Sequence, residues 1–243
     1  MKVVGIIPSH LNSLRFPRKI LYKIKDLPMI EHVRRRALIS KQFDEVIVCT
    51  CDLQIKKVIN SYKGKVILTS RKHKNGTSRV TEAIKKVKAS HVVIIQGDEP
   101  LIDPKHIDKV IEWHSKNMNF EIVVPSLKSK NIDTPHIVKI AKSKNKVIYF
   151  SRSLVPNPFN KQNKYFLKHL SVISFLPSSL KKFRTLKQGA LEKIEGIELM
   201  RALENNMSIG TFNLVGSSFS VDTKDDFLKA IKFMNIDKIR NKY

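Results

Sequence analysis

The chain has 243 residues, 46 of them Lys or Arg against 21 Asp or Glu, for a formal net charge of +25. Its 42% hydrophobic content excludes a disordered chain, and no stretch approaches the roughly 18 apolar residues a membrane helix needs. The lysines are scattered over the whole length with no dense basic tail or aromatic ladder, so the charge reads as solvated faces, not as a nucleic-acid surface, although it would also favour an anionic substrate. The two cysteines, Cys49 and Cys51, have a C-x-C spacing that suits neither zinc nor a disulfide framework, and a reducing cytoplasm is expected. The opening "MKVVGIIPSH" reads as a first core strand and not as a signal peptide.

Residues 3–8 are a β-branched run followed by polar residues, which predicts a buried strand and a loop. Residues 30–40 predict a helix with Ile30, Val33, Ala37 and Leu38 on one side and Arg34, Arg35 and Arg36 outside. Strands are predicted at 45–50, 65–68 and 91–96, alternating with helices at 53–62, 78–88 and 104–117, the last opened by a proline. This alternation predicts an α/β, Rossmann-like fold with a mainly parallel, mixed sheet flanked by helices, whose ligands bind beyond the carboxyl ends of the strands. Polar clusters fall there: after Pro8, around residues 50–52, after Thr69 and at 97–100.

The pattern changes after about residue 119. Strands are expected at 121–126, 138–141 and 147–151, with a turn at 142–146 and an irregular connection at 155–165. Residues 167–175 read as another strand and 194–205 as a helix; residues 208–214 and a helix after Asp225 close the fold. Neither repeats nor a low-complexity linker appear, so one domain spanning 1–243 is expected, with a modified region at about 120–215.

Three stretches carry chemistry. "PSHLNSLRFPRKIL", residues 8–21, places His10, Arg15, Arg18 and Lys19 after a buried strand. It contains no glycine and is no Walker loop, which leaves a basic anion cradle or a solvated loop. In "HKNGTSRV", residues 73–80, Gly76 allows close approach of a ligand and Thr77 offers a helix cap. Arg79 then falls in the first helical turn, where a cation is unfavourable unless it serves a ligand. In "QGDEP", residues 96–100, adjacent Asp98 and Glu99 point to opposite sides, so one of them suits a magnesium ion. A second carboxylate must come from elsewhere, and Asp222 in "FSVDTKDDF" is the candidate, its alternative role being a helix cap that Thr223 or Asp225 also offers.

Together with "VIYFSRSLVP" and "LEKIEGIELMRALEN", these blocks resemble, in order and spacing, the 3-deoxy-manno-octulosonate cytidylyltransferase family of sugar-acid cytidylyltransferases, from residue 3 to about residue 230. The resemblance implies a nucleotidyltransferase that joins CTP to a 3-deoxy-octulosonate-type sugar acid for lipopolysaccharide biosynthesis, with Mg²⁺, as a cytoplasmic homodimer whose contact includes the second-half strands and residues 192–203. It implies Arg15, Lys19 and Asp98 as catalytic residues and Asp98 with Asp222 as metal ligands. Pro8, His10, Arg15, Lys19, Gly76, Thr77, Arg79 and Gln96 fall in the nucleotide-binding blocks, and Arg152, His169, Glu195 and Glu198 in the region that shapes the sugar site. The chain departs from the family where Arg is usual at His10, Thr at Leu14, Gly at Arg18 and an acid at Ser78. It departs also in "HLSVISF", residues 169–175, and at Leu199, so the nucleotide and metal parts are better kept than the sugar part. This leaves two alternatives: an enzyme for another or a modified sugar acid such as an 8-amino octulosonate, and a non-catalytic nucleic-acid-binding relative.

Overall fold

The computed structural model describes residues 1–73, 75–130, 134–157 and 165–243. Two compact units are formed, one from Met1–Ile111 with Ser218–Tyr243, the other from Glu112–Ser217.

The first unit alternates strands and helices as expected. Strand β1 (Val3–Ser9) is followed by a 3₁₀ turn at Lys19–Leu21 and a short antiparallel pair, β2 (Lys23–Ile24) and β3 (Leu27–Pro28). Then come α1 (Met29–Ile39), β4 (Glu45–Thr50), α2 (Leu53–Ser61), β5 (Lys65–Leu68), α3 (Gly76–Ala83), β6 (His91–Ile95) and α4 (Pro104–Lys116). The four longer strands lie in the order β5-β4-β1-β6, all parallel, with Ile6 level with Ile47 on one side and Ile94 on the other. Ile6, Ile7, Ile47, Val48 and Val92 to Ile95 are fully buried. Continuous apolar runs of this kind are what a parallel sheet covered on both faces requires. At their carboxyl ends the strands turn polar, and the candidate residues follow.

Helix α1 differs from its predicted pattern. Leu38 is exposed, whereas Arg34 and Arg36 are buried. Arg34 makes two 2.7 Å bonds to the fully buried Glu31, and Arg35 adds a third at 2.8 Å. Arg36 donates to the Ile102 carbonyl, to the Tyr243 hydroxyl and to Asp237. Glu31 of the same helix lets Arg34 be buried, whereas Arg36 depends on partners from the far end of the chain, of which helical periodicity gives no sign.

The second unit contains β7 (Ile122–Val123), β8 (Ser126–Ser129), β9 (Lys139–Ser143), β10 (Lys146–Ser151), β11 (Phe166–His169), β12 (Val172–Phe175), α5 (Pro177–Thr185), α6 (Ala190–Glu195), α7 (Met200–Glu204), β13 (Ile209–Gly210) and β14 (Asn213–Leu214). The chain then returns to the first unit with α8 (Lys224–Ile236). Strand order is β14-β8-β11-β9-β10-β13-β7-β12, with antiparallel pairs predominating. Two predicted elements divide here. The strand expected at 167–175 breaks at Leu170, whose amide bonds the Pro125 carbonyl, so that β11 pairs with β8 while β12 pairs with β7. The helix expected at 194–205 is interrupted because Gly196 takes φ 60 and ends α6. Of the irregular connection expected at 155–165, residues 158–164 lie outside the described ones.

Candidate active site

The loop after β1 is fixed at several points. Leu11 N–H donates to Asp52 Oδ2 at 3.0 Å, and Arg18 N–H closes back on the Leu11 carbonyl at 3.0 Å. Arg18 adopts φ 59, which turns the chain sharply into the 3₁₀ turn that carries Lys19. Phe16 and Tyr22 stack with ring centroids 4.9 Å apart, and Phe227 of α8 packs against both at 5.7 and 5.8 Å. Arg15 and Lys19 are thereby held close to the chain leading into α8.

Asp98 and Asp222, distant in sequence, are joined through the backbone: Val221 N–H donates to the Asp98 carbonyl at 2.9 Å. Asp222 does not cap α8. Thr223 is the cap, its hydroxyl accepting from Asp226 N–H while the Asp226 carboxylate accepts from Thr223 N–H. The Asp222 side chain is left for other work. It receives Arg15 Nη2 at 2.8 Å and Lys19 Nζ at 3.2 Å, and Lys19 Nζ also lies 2.8 Å from Asp98 Oδ2.

The site opens as a cleft of about 350 Å³ whose wall includes Pro8, His10, Arg15, Lys19, Gly76, Arg79, Gln96, Asp98 and Asp222. These residues come from four separate stretches of the sequence, and one cleft gathers them. Thr77 is buried in the first turn of α3 and is not part of the wall. Nor is Arg18, which is exposed. The cap of α3 is Asn75, whose side chain accepts from Ser78 N–H at 2.9 Å, in place of the expected Thr77. Gly76 stands so close to Pro8 that an added Cβ would lie 3.2 Å from Pro8 Cγ. Only a glycine keeps that wall flat.

Arg79 is 4% exposed and donates to neutral groups, Thr69 Oγ1 at 2.7 Å and the Ser70 carbonyl at 3.3 Å. Among the described residues no carboxylate forms an ion pair with it, and it lines the cleft as a cation. Burial, then the charge of Arg79 and more weakly that of Lys19, push the His10 imidazole below its usual range, against Asp52 and Asp98. His10 is therefore a neutral hydrogen-bonding group at neutral pH where the family pattern has a cation.

Two carboxylates around a common point, beside cationic side chains, suit a divalent ion that keeps most of its shell for water and substrate oxygens. Among the described residues no group of three or more His, Cys, Asp or Glu gathers, which does not suit an all-protein zinc site. Glu99 turns away from the pair and is buried, its amide bonding the Gln96 carbonyl and its carbonyl accepting from Ile102 N–H. Asp52, which anchors the loop, and Phe16, Tyr22 and Phe227, which clamp it, were not singled out in the sequence. The polar end of the 45–50 strand is the signal that pointed to Asp52.

Of the second-unit candidates, Arg152 and Glu195 are bonded to each other. Glu195 accepts from Ser151 Oγ and Arg152 N–H, both at 2.8 Å. Arg152 donates to the carbonyls of Glu195, Pro135 and Gly196 at 2.7, 2.6 and 3.2 Å. The left-handed Gly196 turns two of those carbonyls toward the guanidinium. His169 on β11 sets its ring edge-on to Phe150 at 5.8 Å, and burial pushes its imidazole down to about 4. Glu198 lies in the turn between α6 and α7.

A family model described as cytidylyltransferase matches residues 4–209. The chain is 38% identical to the 3-deoxy-manno-octulosonate cytidylyltransferase of Thermodesulfovibrio yellowstonii, over 97% of this chain and 99% of that protein. It is 35% identical to the 8-amino-3,8-dideoxy-manno-octulosonate cytidylyltransferase of Shewanella baltica, over 98% of this chain and 100% of that one. Among solved structures, CMP:2-keto-3-deoxy-manno-octonic acid synthetase complexed with CTP superposes with a TM-score of 0.93 at 30% identity, covering 97% of this chain and 99% of the other. With these matches running nearly end to end in both sequence and fold, the chain belongs to the cytidylyltransferase family of nucleotidyltransferase enzymes.

Proposed function

We propose that the enzyme transfers the cytidylyl group of CTP to 3-deoxy-manno-octulosonate and releases pyrophosphate. The observation that carries this reading is the cleft in which Arg15 and Lys19 pair with Asp98 and Asp222 while Arg79 lines the same wall. Relatives that match over nearly the full length and are named for this reaction support the choice of substrates. In the proposed reaction the anomeric hydroxyl oxygen of the sugar acid bonds to the α-phosphorus of CTP. The α–β bridging bond breaks, its electron pair leaves with pyrophosphate, and the hydroxyl proton passes to solvent.

Each residue of the cleft has a physical task in this scheme. Arg15 and Lys19 offset the charge that collects on departing pyrophosphate, and Arg79 adds a buried, fixed cation. Gly76 and Pro8 let the nucleotide lie against backbone, and Gln96 offers an amide to its polar edge. His10 donates a hydrogen bond and is not a base. Magnesium, held by Asp98 and Asp222, would neutralise phosphate charge and acidify the attacking hydroxyl. Catalysis is then positioning plus charge stabilisation, with no covalent enzyme intermediate.

The resemblance assigns the sugar acid to Arg152, His169, Glu195 and Glu198. The Arg152 guanidinium donates to the backbone carbonyls of Glu195, Pro135 and Gly196, which orient it without neutralising its charge, and that suits the sugar carboxylate. The same reading makes the enzyme a cytoplasmic homodimer supplying lipopolysaccharide biosynthesis. The test is pyrophosphate release from CTP and magnesium with a panel of ulosonic acids. The proposal expects the highest kcat/KM with 3-deoxy-manno-octulosonate. A clear preference for the 8-amino sugar, the substrate named for the Shewanella relative, would replace that substrate, and no release with any sugar acid would overturn the reading.

A further inference from the structure

Lys19 occupies an unusual position for a phosphate-binding lysine. Its side chain is 9% exposed, and its ammonium is saturated by protein acceptors. Nζ lies 2.8 Å from Asp98 Oδ2, 3.2 Å from Asp222 Oδ1 and 2.6 Å from the Val221 carbonyl, one acceptor for each of its three N–H bonds. The carboxylates are the more accessible members of the group, at 28 and 29%. The ammonium therefore stands at the point toward which both carboxylates are directed. A magnesium ion bound by both would take carboxylate oxygens at about 2.1 Å in the space between them that the ammonium fills. Two cations cannot share that position without strong repulsion. Arg15, half-exposed and paired with Asp222, adds further positive charge against an incoming ion.

We propose that Lys19 is an internal counter-ion that holds the metal position closed in the nucleotide-free protein and yields it only when a triphosphate offers the ammonium other oxygens. Resting on the assignment of Asp98 and Asp222 as metal ligands, this sets an order of binding: the metal enters with or after the nucleotide, not before it. Lys19 then has two places of rest. Its exchange between carboxylates and phosphate couples the two ligands, because each removes what obstructs the other. Among the described residues Arg15 is the other side chain paired with Asp222, and its greater exposure makes it the weaker obstacle.

The experiment is Mn²⁺ titration of nucleotide-free protein, followed by the loss of the free-ion electron paramagnetic resonance signal, which needs no turnover. Lys19→Met removes the charge at similar length, and Lys19→Gln keeps a donor for the Val221 carbonyl, with circular dichroism establishing that either variant is folded. Wild-type protein should bind Mn²⁺ weakly, and the folded variant should bind about tenfold tighter or more, as expected when a unit charge leaves a partly buried site. Adding Asp98→Asn to that variant should remove the gain. Equal or weaker binding by the Lys19 variants, still abolished by Asp98→Asn, would overturn the counter-ion while leaving the metal ligands in place. Binding that ignores Asp98→Asn in every background would overturn the metal assignment and the inference with it.

Discussion

Arg18 shows how a single backbone angle shapes the site. At φ 59 it stands where the family pattern has glycine, and it directs the chain into the turn that buries Lys19. A β-carbon in that region is strained, and here the strain is kept because the Arg18 amide, the Phe16 stack and the Asp52 anchor fix the loop around it. Arg18→Gly should stabilise the protein by about 0.5–1 kcal/mol, the relief of strain being partly offset by glycine's greater freedom when unfolded. Urea denaturation measures this, and a loss of stability would mean that the Arg18 side chain contributes more than its backbone costs. Lys25, Lys63 and Lys144 also have positive φ, so this lysine-rich chain repeatedly uses long cationic residues where glycine is easier. Lys19 differs from all of these: one among 46 basic residues, it is buried between two carboxylates, and nothing in local composition distinguishes it. The loop's basic character marked it only as one cation beside His10, Arg15 and Arg18, and the resemblance gave it a role of its own.

At the level of elements, the start of α8 decides what Asp222 can do. The capping box of Thr223 and Asp226 satisfies the helix terminus, which frees the neighbouring carboxylate to face Lys19 and Arg15. Thr223→Ala should cost about 1 kcal/mol of stability, and it should lower turnover as well if Asp222 is drawn into the vacated cap. Thermal denaturation and kcat measured together test this; unchanged kcat beside reduced stability would show that Asp222 is held by the Val221–Asp98 backbone bond alone. The strands and helices of the first unit were legible because their apolar runs are uninterrupted and end in polar clusters. Elements of the second unit were less so, since Pro125, Leu170 and Gly196 break apparently continuous patterns by tertiary bonds or a left-handed turn that periodicity does not register. For the site, "QGDEP" suggested a carboxylate suited to a metal, but its pairing with Asp222 depends on a backbone bond that spans about half of the chain.

Across the whole molecule, buried histidines give stability a distinct pH dependence. His169 has a folded pKa of about 4 because it is buried, below the unfolded value near 6.5. A group whose folded pKa is lowered contributes stability that is fully present above its unfolded pKa and is lost as pH falls toward the folded one. Wild-type stability should therefore decline between about pH 6.5 and 4, and His169→Gln should flatten part of that slope. Denaturation midpoints at several pH values give the comparison; parallel curves would show that His169 does not titrate on unfolding. The net charge of +25 acts over the same scale, drawing anionic nucleotides toward the protein at low ionic strength.

In the proposed reaction Asp98 and Asp222, with Lys19 and Arg15, support cytidylyl transfer at one cleft. It is tested most directly with CTP labelled at the α-phosphate, magnesium and 3-deoxy-manno-octulosonate. The label should pass to a CMP-sugar with wild-type protein, and the Asp98→Asn variant should be folded but without detectable transfer. Wild-type rates in Asp98→Asn, or pyrophosphate release with no label on the sugar, would contradict the account.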